Sequence, residues 1–155
     1  MLEQALDAFI AAREREGARL AALLEERLAG IEREVAAVHE ILPAIRVALR
    51  EKLDARLADL KQPLDPGRLE QEVVLLLSRL DVDEELDRLT GHIAEARRTL
   101  GLGEAVGRRL AFLMQEFNRE ANTLGSKSAD ARSTRTAVEL KVLIEQVREQ
   151  VQNVE

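Results

Sequence analysis

The 155-residue chain contains no cysteine, no tryptophan and no tyrosine. Without thiols it has no disulfide framework, no thiolate zinc site and no cysteine nucleophile, which suits a reducing compartment. Aromatic residues make up 2% of the chain, three phenylalanines in all, too few for a platform of stacked bases. No apolar run approaches the ~20 residues of a membrane span. The opening residues show no leader pattern of basic residues followed by an apolar stretch. The expectation is a cytoplasmic protein with no membrane partner. Strand-length β-branched runs with a period of two are also missing. So are the P-loop, the dinucleotide fingerprint, the nucleophile elbow and the H-E-x-x-H motif.

What is present is charge and aliphatic bulk. Charged residues are 34% of the chain, and the apolar share is mostly Leu, Ala and Val, a composition of long helices and coiled coils. The net charge of −6 argues against a nucleic-acid partner, but it is unevenly spread. Residues 88–135 hold nine Lys/Arg against five Asp/Glu, a local +4 that leaves −10 for the rest. That segment is a locally basic region in an otherwise acidic chain.

Apolar residues step by three and four along the first third of the chain: Leu24, Leu28, Ile31, Val35, Val38, Leu42, Ile45, Leu49, Leu53, Leu57 and Leu60. This spacing predicts one long, coiled-coil-like helix with a kink at Pro43, where a backbone hydrogen bond is lost. His39, inside this pattern, reads as structural. The stretch KQPLDPG (61–67) ends the arm, and Asp65-Pro66 reads as an N-cap followed by proline at the first helical position. The next helix should bury Leu69, Val73, Leu76, Leu77 and Leu80. Asp81 with Glu84 has the form of a capping signal, opening a helix that buries Leu86, Leu89, Ile93 and Leu100. GLGEAVG (101–107) reads as a loop. A further helix buries Leu110, Leu113, Met114, Phe117 and Leu124, with Gly125 as its stop. The last carries the stripe Ala137, Leu140, Ile144, Val147, Val151, Val154. The fold class is all-α: a long kinked helical arm (1–64), suited to oligomerisation, then a compact bundle of about four helices (65–155).

Three polar constellations stand out. Glu85, Arg88 and His92 share one side of a helix, which suits an acid/base histidine oriented by a carboxylate, or a pair of metal ligands. An ordinary ion pair on a half-exposed helix fits the same spacing. Glu116 and Glu120 lie four apart, so both carboxylates can converge on a hard divalent ion, or simply form a solvated face. Asn118 and Asn122 share the next ridge, and asparagine is a costly filler for an exposed helix. Amides suit sugar and phosphate contacts better. Arg108, Arg109, Arg119 and Lys127 suit phosphate oxygens, although salt bridges and caps would use them equally well. Spacing alone leaves each of these alternatives open.

Three segments carry a resemblance that narrows them: DVDEELDRLTGH (81–92), VGRRLAFLMQEFNREANTLGSKS (106–128) and VELKVLIEQVREQVQNVE (138–155). Together they resemble the C-terminal domain of the YicC-like endoribonuclease family, over residues 68–155, and the arm is similar to the helical segment that precedes that domain. The resemblance implies a bacterial, cytoplasmic endoribonuclease that depends on a divalent cation, Mn²⁺ or Mg²⁺, and works as a homo-oligomer, expected to be a hexamer. RNA is the implied partner, and no DNA partner is expected. The family's N-terminal domain is expected to be absent from this chain. Ala111 stands where the family usually has Asp, Ala105 where Pro is common and Phe117 where Met is usual.

Set on that resemblance, the expected site has His92, Glu85 and Glu120 as catalytic groups. Glu85, Glu116 and Glu120 are the expected metal ligands. Arg88, Arg108, Asn118, Arg119, Asn122 and Lys127 are the expected RNA contacts. The rival expectation is a non-catalytic helical scaffold or RNA adaptor, in which these polar residues would be interlocking interface contacts.

Overall fold

The computed structural model describes residues 1–58, 65–102 and 106–152. Leu60, Lys61–Leu64 of the expected arm end, Gly103–Ala105 of the expected loop, and Val154 lie outside the described residues. Among the described residues every regular element is a helix: α1 (Leu2–Ala58), α2 (Pro66–Leu80), α3 (Asp83–Leu100), α4 (Gly107–Lys127) and α5 (Ala131–Gln152). None of them is long and apolar enough to cross a membrane.

Four of the helices close a ring. α1 packs against α3 and α5, and α4 packs against the same two. Neighbours run antiparallel. Arg97 near the end of α3 pairs with Glu25 and Glu32 early in α1, while Asp83 at the start of α3 pairs with Arg46 later in α1. Each helix turns one apolar stripe inward, so the core is continuous from Leu24, Leu28, Ile31, Val35, Val38 and Leu42 of α1 through Leu86, Leu89 and Ile93, Leu113, Met114 and Phe117, to Leu140, Ile144, Val147 and Val151. The core therefore crosses the expected boundary at residue 64, and the middle of α1 is the fourth wall of the bundle. Gly30 lies where α1 packs on α5, and a Cβ there would sit in ordinary contact with the Leu143 methyls at 3.4 Å.

α1 is 57 residues long, roughly 85 Å at 1.5 Å per residue, and it passes through Pro43 without a break. Only its middle is buried. Leu2, Leu6, Phe9 and Ile10 are exposed, and His39 is exposed rather than packed. α2 departs from its expected packing. Its N-cap is as read, with Asp65 accepting from the Gly67 amide at 3.3 Å ahead of Pro66. It touches the bundle only lightly through α4, however, and Leu77 is 59% exposed. Two helix ends also differ from the sequence reading. Asp81 closes α2 instead of capping α3, which starts from Val82 with no side-chain cap. Asp83, Glu84 and Glu85 in its first turn complement the helix dipole instead. α4 runs past Gly125 to Lys127.

Candidate metal and RNA site on the α3–α4 seam

The antiparallel packing of α3 on α4 lines up two polar stripes. On α3 the stripe is Glu85, Arg88, His92 and Glu95, and on α4 it is Arg109, Glu116, Glu120 and Lys127. The register pairs them in order. Arg109 donates to Glu95 at 2.7 Å, Arg88 reaches Glu120 at 3.5 Å, and Lys127 donates to Glu85 at 2.8 Å. Between the first two rungs, His92, Glu116 and Glu120 offer one ligand atom each within 4.8 Å of one another.

The group is built into the fold. Glu120 is 3% exposed, Glu116 and His92 are half-buried, and the His92 ring tilts against Phe117 at 5.6 Å between centroids. Phe117 is fully buried, so the imidazole rests on the core. His92 Nε2 is buried and makes no hydrogen bond among the described residues. A buried polar atom without a partner costs free energy and calls for an explanation, and a ligand absent from the structure is one. One imidazole and two carboxylates suit a divalent transition ion. Carboxylates favour Mg²⁺ and Mn²⁺, and the imidazole shifts the preference from Mg²⁺ towards Mn²⁺.

The expected site residues separate into groups. His92, Glu116 and Glu120 come together, with Arg88 bridging Glu120 and the exposed Glu84. The structure seats Glu85 elsewhere. Its Oε1 is taken by Lys127 and, among the described residues, its Oε2 is buried without a partner and it is not one of the three converging groups. Lys127 is committed twice, since it also donates to the Asp81 carbonyl at 2.7 Å. Arg119 is 71% exposed beside Glu116, at 3.9 Å. Arg108 is exposed near the start of α4, Asn118 is half-buried and Asn122 is exposed. The sequence reading missed Phe117 as the floor under His92 and Glu84 as the second partner of Arg88. Glu84 lies four residues before Arg88, a visible signal, whereas the role of Phe117 depends on the register of two helices.

Fold and site together define an all-helical bundle with a carboxylate–imidazole group on the seam of two antiparallel helices. The family model described as "Endoribonuclease YicC-like, C-terminal" matches residues 38–155. The chain belongs to that family. It is 53% identical over 147 residues to the protein named "Probable endoribonuclease YicC" of Haemophilus influenzae, a match covering 95% of this chain and 51% of that protein. It is 36% identical over 162 residues to the protein of the same name from Clostridioides difficile, covering 100% of this chain and 55% of that one. The chain spans about half the length of the curated relatives it matches.

Proposed function

We propose that this chain is the helical catalytic region of a metal-dependent endoribonuclease that cleaves RNA phosphodiester bonds. The convergence of His92, Glu116 and Glu120, with His92 Nε2 buried and unpartnered, carries the reading. The family named for endoribonucleases supplies the substrate class.

In this reading His92, Glu116 and Glu120 hold a divalent cation, Mn²⁺ in preference to Mg²⁺. When bound, that cation supplies positive charge at the scissile phosphate and acidifies the attacking hydroxyl. Arg88 fixes one oxygen of Glu120 and leaves the other for the site. Its guanidinium also puts a permanent positive charge beside the reacting phosphate. Arg119 and Arg108, both exposed on α4, position the RNA backbone, and Asn122 reaches sugar hydroxyls. Glu85 and Lys127 act together as a strut that holds the seam in register. The exposed apolar residues at the start of α1, Leu2, Leu6, Phe9 and Ile10, mediate self-association.

The test is cleavage of a fluorophore–quencher RNA by the purified chain with Mn²⁺, Mg²⁺ or EDTA, beside Glu120→Ala and His92→Ala proteins whose folding is checked by circular dichroism. Cleavage that needs the cation and is lost in both variants supports the reading. Folded variants that cleave as fast as the parent remove the site from the mechanism.

A further inference from the structure

Two features beside the seam have no use in the chain's own packing. Phe112 is 60% exposed, on a helix whose Leu110, Leu113, Met114, Phe117 and Leu124 are all buried. It lies one turn before Glu116. Gly91, the chain neighbour of His92, sits in the interior of α3, where glycine is a poor helix former. A Cβ at Gly91 would meet nothing within 4 Å, so no contact among the described residues demands glycine there. Gly17 has equally open surroundings, but it belongs to the exposed start of α1, away from the seam.

Phe112 is part of an ordered surface. Arg108, Phe112, Gln115, Arg119, Asn122 and Ser126 follow one another by four and three residues, so they form one outward stripe of α4, and all six are exposed. The stripe is ~27 Å long at 1.5 Å per residue. It offers two guanidiniums, an aromatic face, two amides and a hydroxyl, and it contains no carboxylate. That set complements a polyanion whose bases are free to stack. A second copy of the chain fits less well, because the stripe carries two positive charges and no carboxylate of its own to answer them. Duplex RNA also fits poorly, since its bases are already stacked inside the helix.

Resting on the endoribonuclease reading, we infer that this stripe is the track for a single-stranded RNA segment, with an unpaired base stacked on Phe112, phosphates against Arg108 and Arg119, and the strand passing over Gly91 to reach His92. The substrate at this point is single-stranded, and one ring takes the place of a broad stacking platform.

Because the chain has no tryptophan or tyrosine, a Phe112→Trp protein carries a single reporter at the proposed contact. It is titrated with a short oligoadenylate in EDTA, so that binding is read without cleavage. The expected result is saturable quenching of the tryptophan in step with anisotropy of a labelled strand. An abasic strand of the same length binds without quenching. Phe112→Ala weakens oligoadenylate binding by roughly 5- to 150-fold, the range for losing one stacked base, and leaves the abasic strand unaffected. Gly91→Ala raises the melting temperature yet lowers affinity for both strands. RNA binding with unchanged tryptophan emission would overturn the track while leaving the endoribonuclease reading intact. Absence of both binding and cleavage in the parent chain would overturn both. Emission that follows protein concentration without RNA, with Phe112→Ala sedimenting as a smaller species, would assign the stripe to a second copy instead.

Discussion

Lys127 Nζ lies 2.8 Å from Glu85 Oε1 and 2.7 Å from the Asp81 carbonyl, so the last turn of α4 is pinned to the α2–α3 junction. Glu85 is 4% exposed, and its carboxylate has no other charged partner among the described residues. The strut shares the register, set by core packing, that brings Glu120 within reach of Arg88 and groups Glu116 with His92. A buried carboxylate is expensive to leave alone, and that asymmetry governs how the pair responds to mutation.

Removing one end strands the other. Lys127→Ala leaves the buried Glu85 carboxyl without its charged partner, and is expected to cost about 3 kcal/mol in urea unfolding. The double variant Glu85→Leu with Lys127→Met exchanges the pair for apolar atoms of similar bulk and is expected to recover most of that loss. A double variant no more stable than Lys127→Ala would show that the cost lies in α4 packing and not in the stranded charge.

The clamp between α1 and α3 responds to pH. Arg97 donates to Glu25 at 2.8 Å and to both oxygens of Glu32 at 2.8 and 3.1 Å. Hydrogen bonds from Arg97 hold the Glu32 carboxyl below its ordinary value of 4.5. A depressed carboxyl binds fewer protons folded than unfolded, so its stabilisation is present above about pH 4.5 and is lost as the pH falls through the folded value. Both side chains are substantially exposed, which limits the contribution to at most about 1 kcal/mol after solvent screening. Glu32→Gln should therefore melt slightly below the parent at pH 7, and the two curves should converge towards pH 3. A gap that persists unchanged in acid would rule out an electrostatic origin.

Much of this architecture was legible in the residues. The stripes of α1, α4 and α5 were visible because buried positions recur every three or four residues, and Leu28, Ile31, Phe117, Leu140 and Ile144 are all buried as read. α2 was misjudged for the converse reason. An amphipathic pattern shows that a helix has an apolar face, not that anything covers it, and Leu77 lies largely open. In the candidate site, residue type and spacing offered Glu85 with His92, and Glu116 with Glu120, as two separate and open alternatives, and the family resemblance joined them into one expected site. The place of Glu85 was not legible, because i, i+7 spacing puts Glu85 and His92 on one side of α3 without saying which residue of α4 each meets. Core packing decides that, and it sets Glu85 opposite Lys127. Phe112 was already outside the buried stripe Leu110, Leu113, Met114, Phe117 and Leu124, but spacing gave its exposed ring no role.

The carboxylate–imidazole group is expected to reveal itself without any cleavage assay. A ligand that binds only the folded state stabilises it by RT ln(1 + [L]/Kd), about 2.7 kcal/mol at a hundredfold excess over Kd. Mn²⁺ should therefore raise the melting temperature of the chain, Mg²⁺ should raise it less, and EDTA should reverse both shifts. Glu120→Gln and His92→Ala should each abolish the Mn²⁺ shift, whereas Glu85→Gln should keep it, because Glu85 faces Lys127. A Mn²⁺ shift lost in Glu85→Gln but kept in Glu120→Gln would reverse the ligand assignment.

Phe117 joins the core to the site, and substitutions there should separate stability from function. The side chain is fully buried, and its ring supports the His92 imidazole at 5.6 Å. Phe117→Ala opens a cavity and is expected to cost 3–5 kcal/mol, roughly the range for deleting a core phenylalanine. Phe117→Met nearly preserves volume and keeps an apolar floor, with an expected cost below about 1.5 kcal/mol. The flexible thioether lies under His92 in that variant without reproducing the flat ring surface. Its Mn²⁺-dependent melting shift should survive with reduced size, while Phe117→Ala, measured under conditions where it remains folded, should lose it. Equal Mn²⁺ shifts in the parent, Met and Ala proteins would mean that His92 is held in place by groups other than the Phe117 ring.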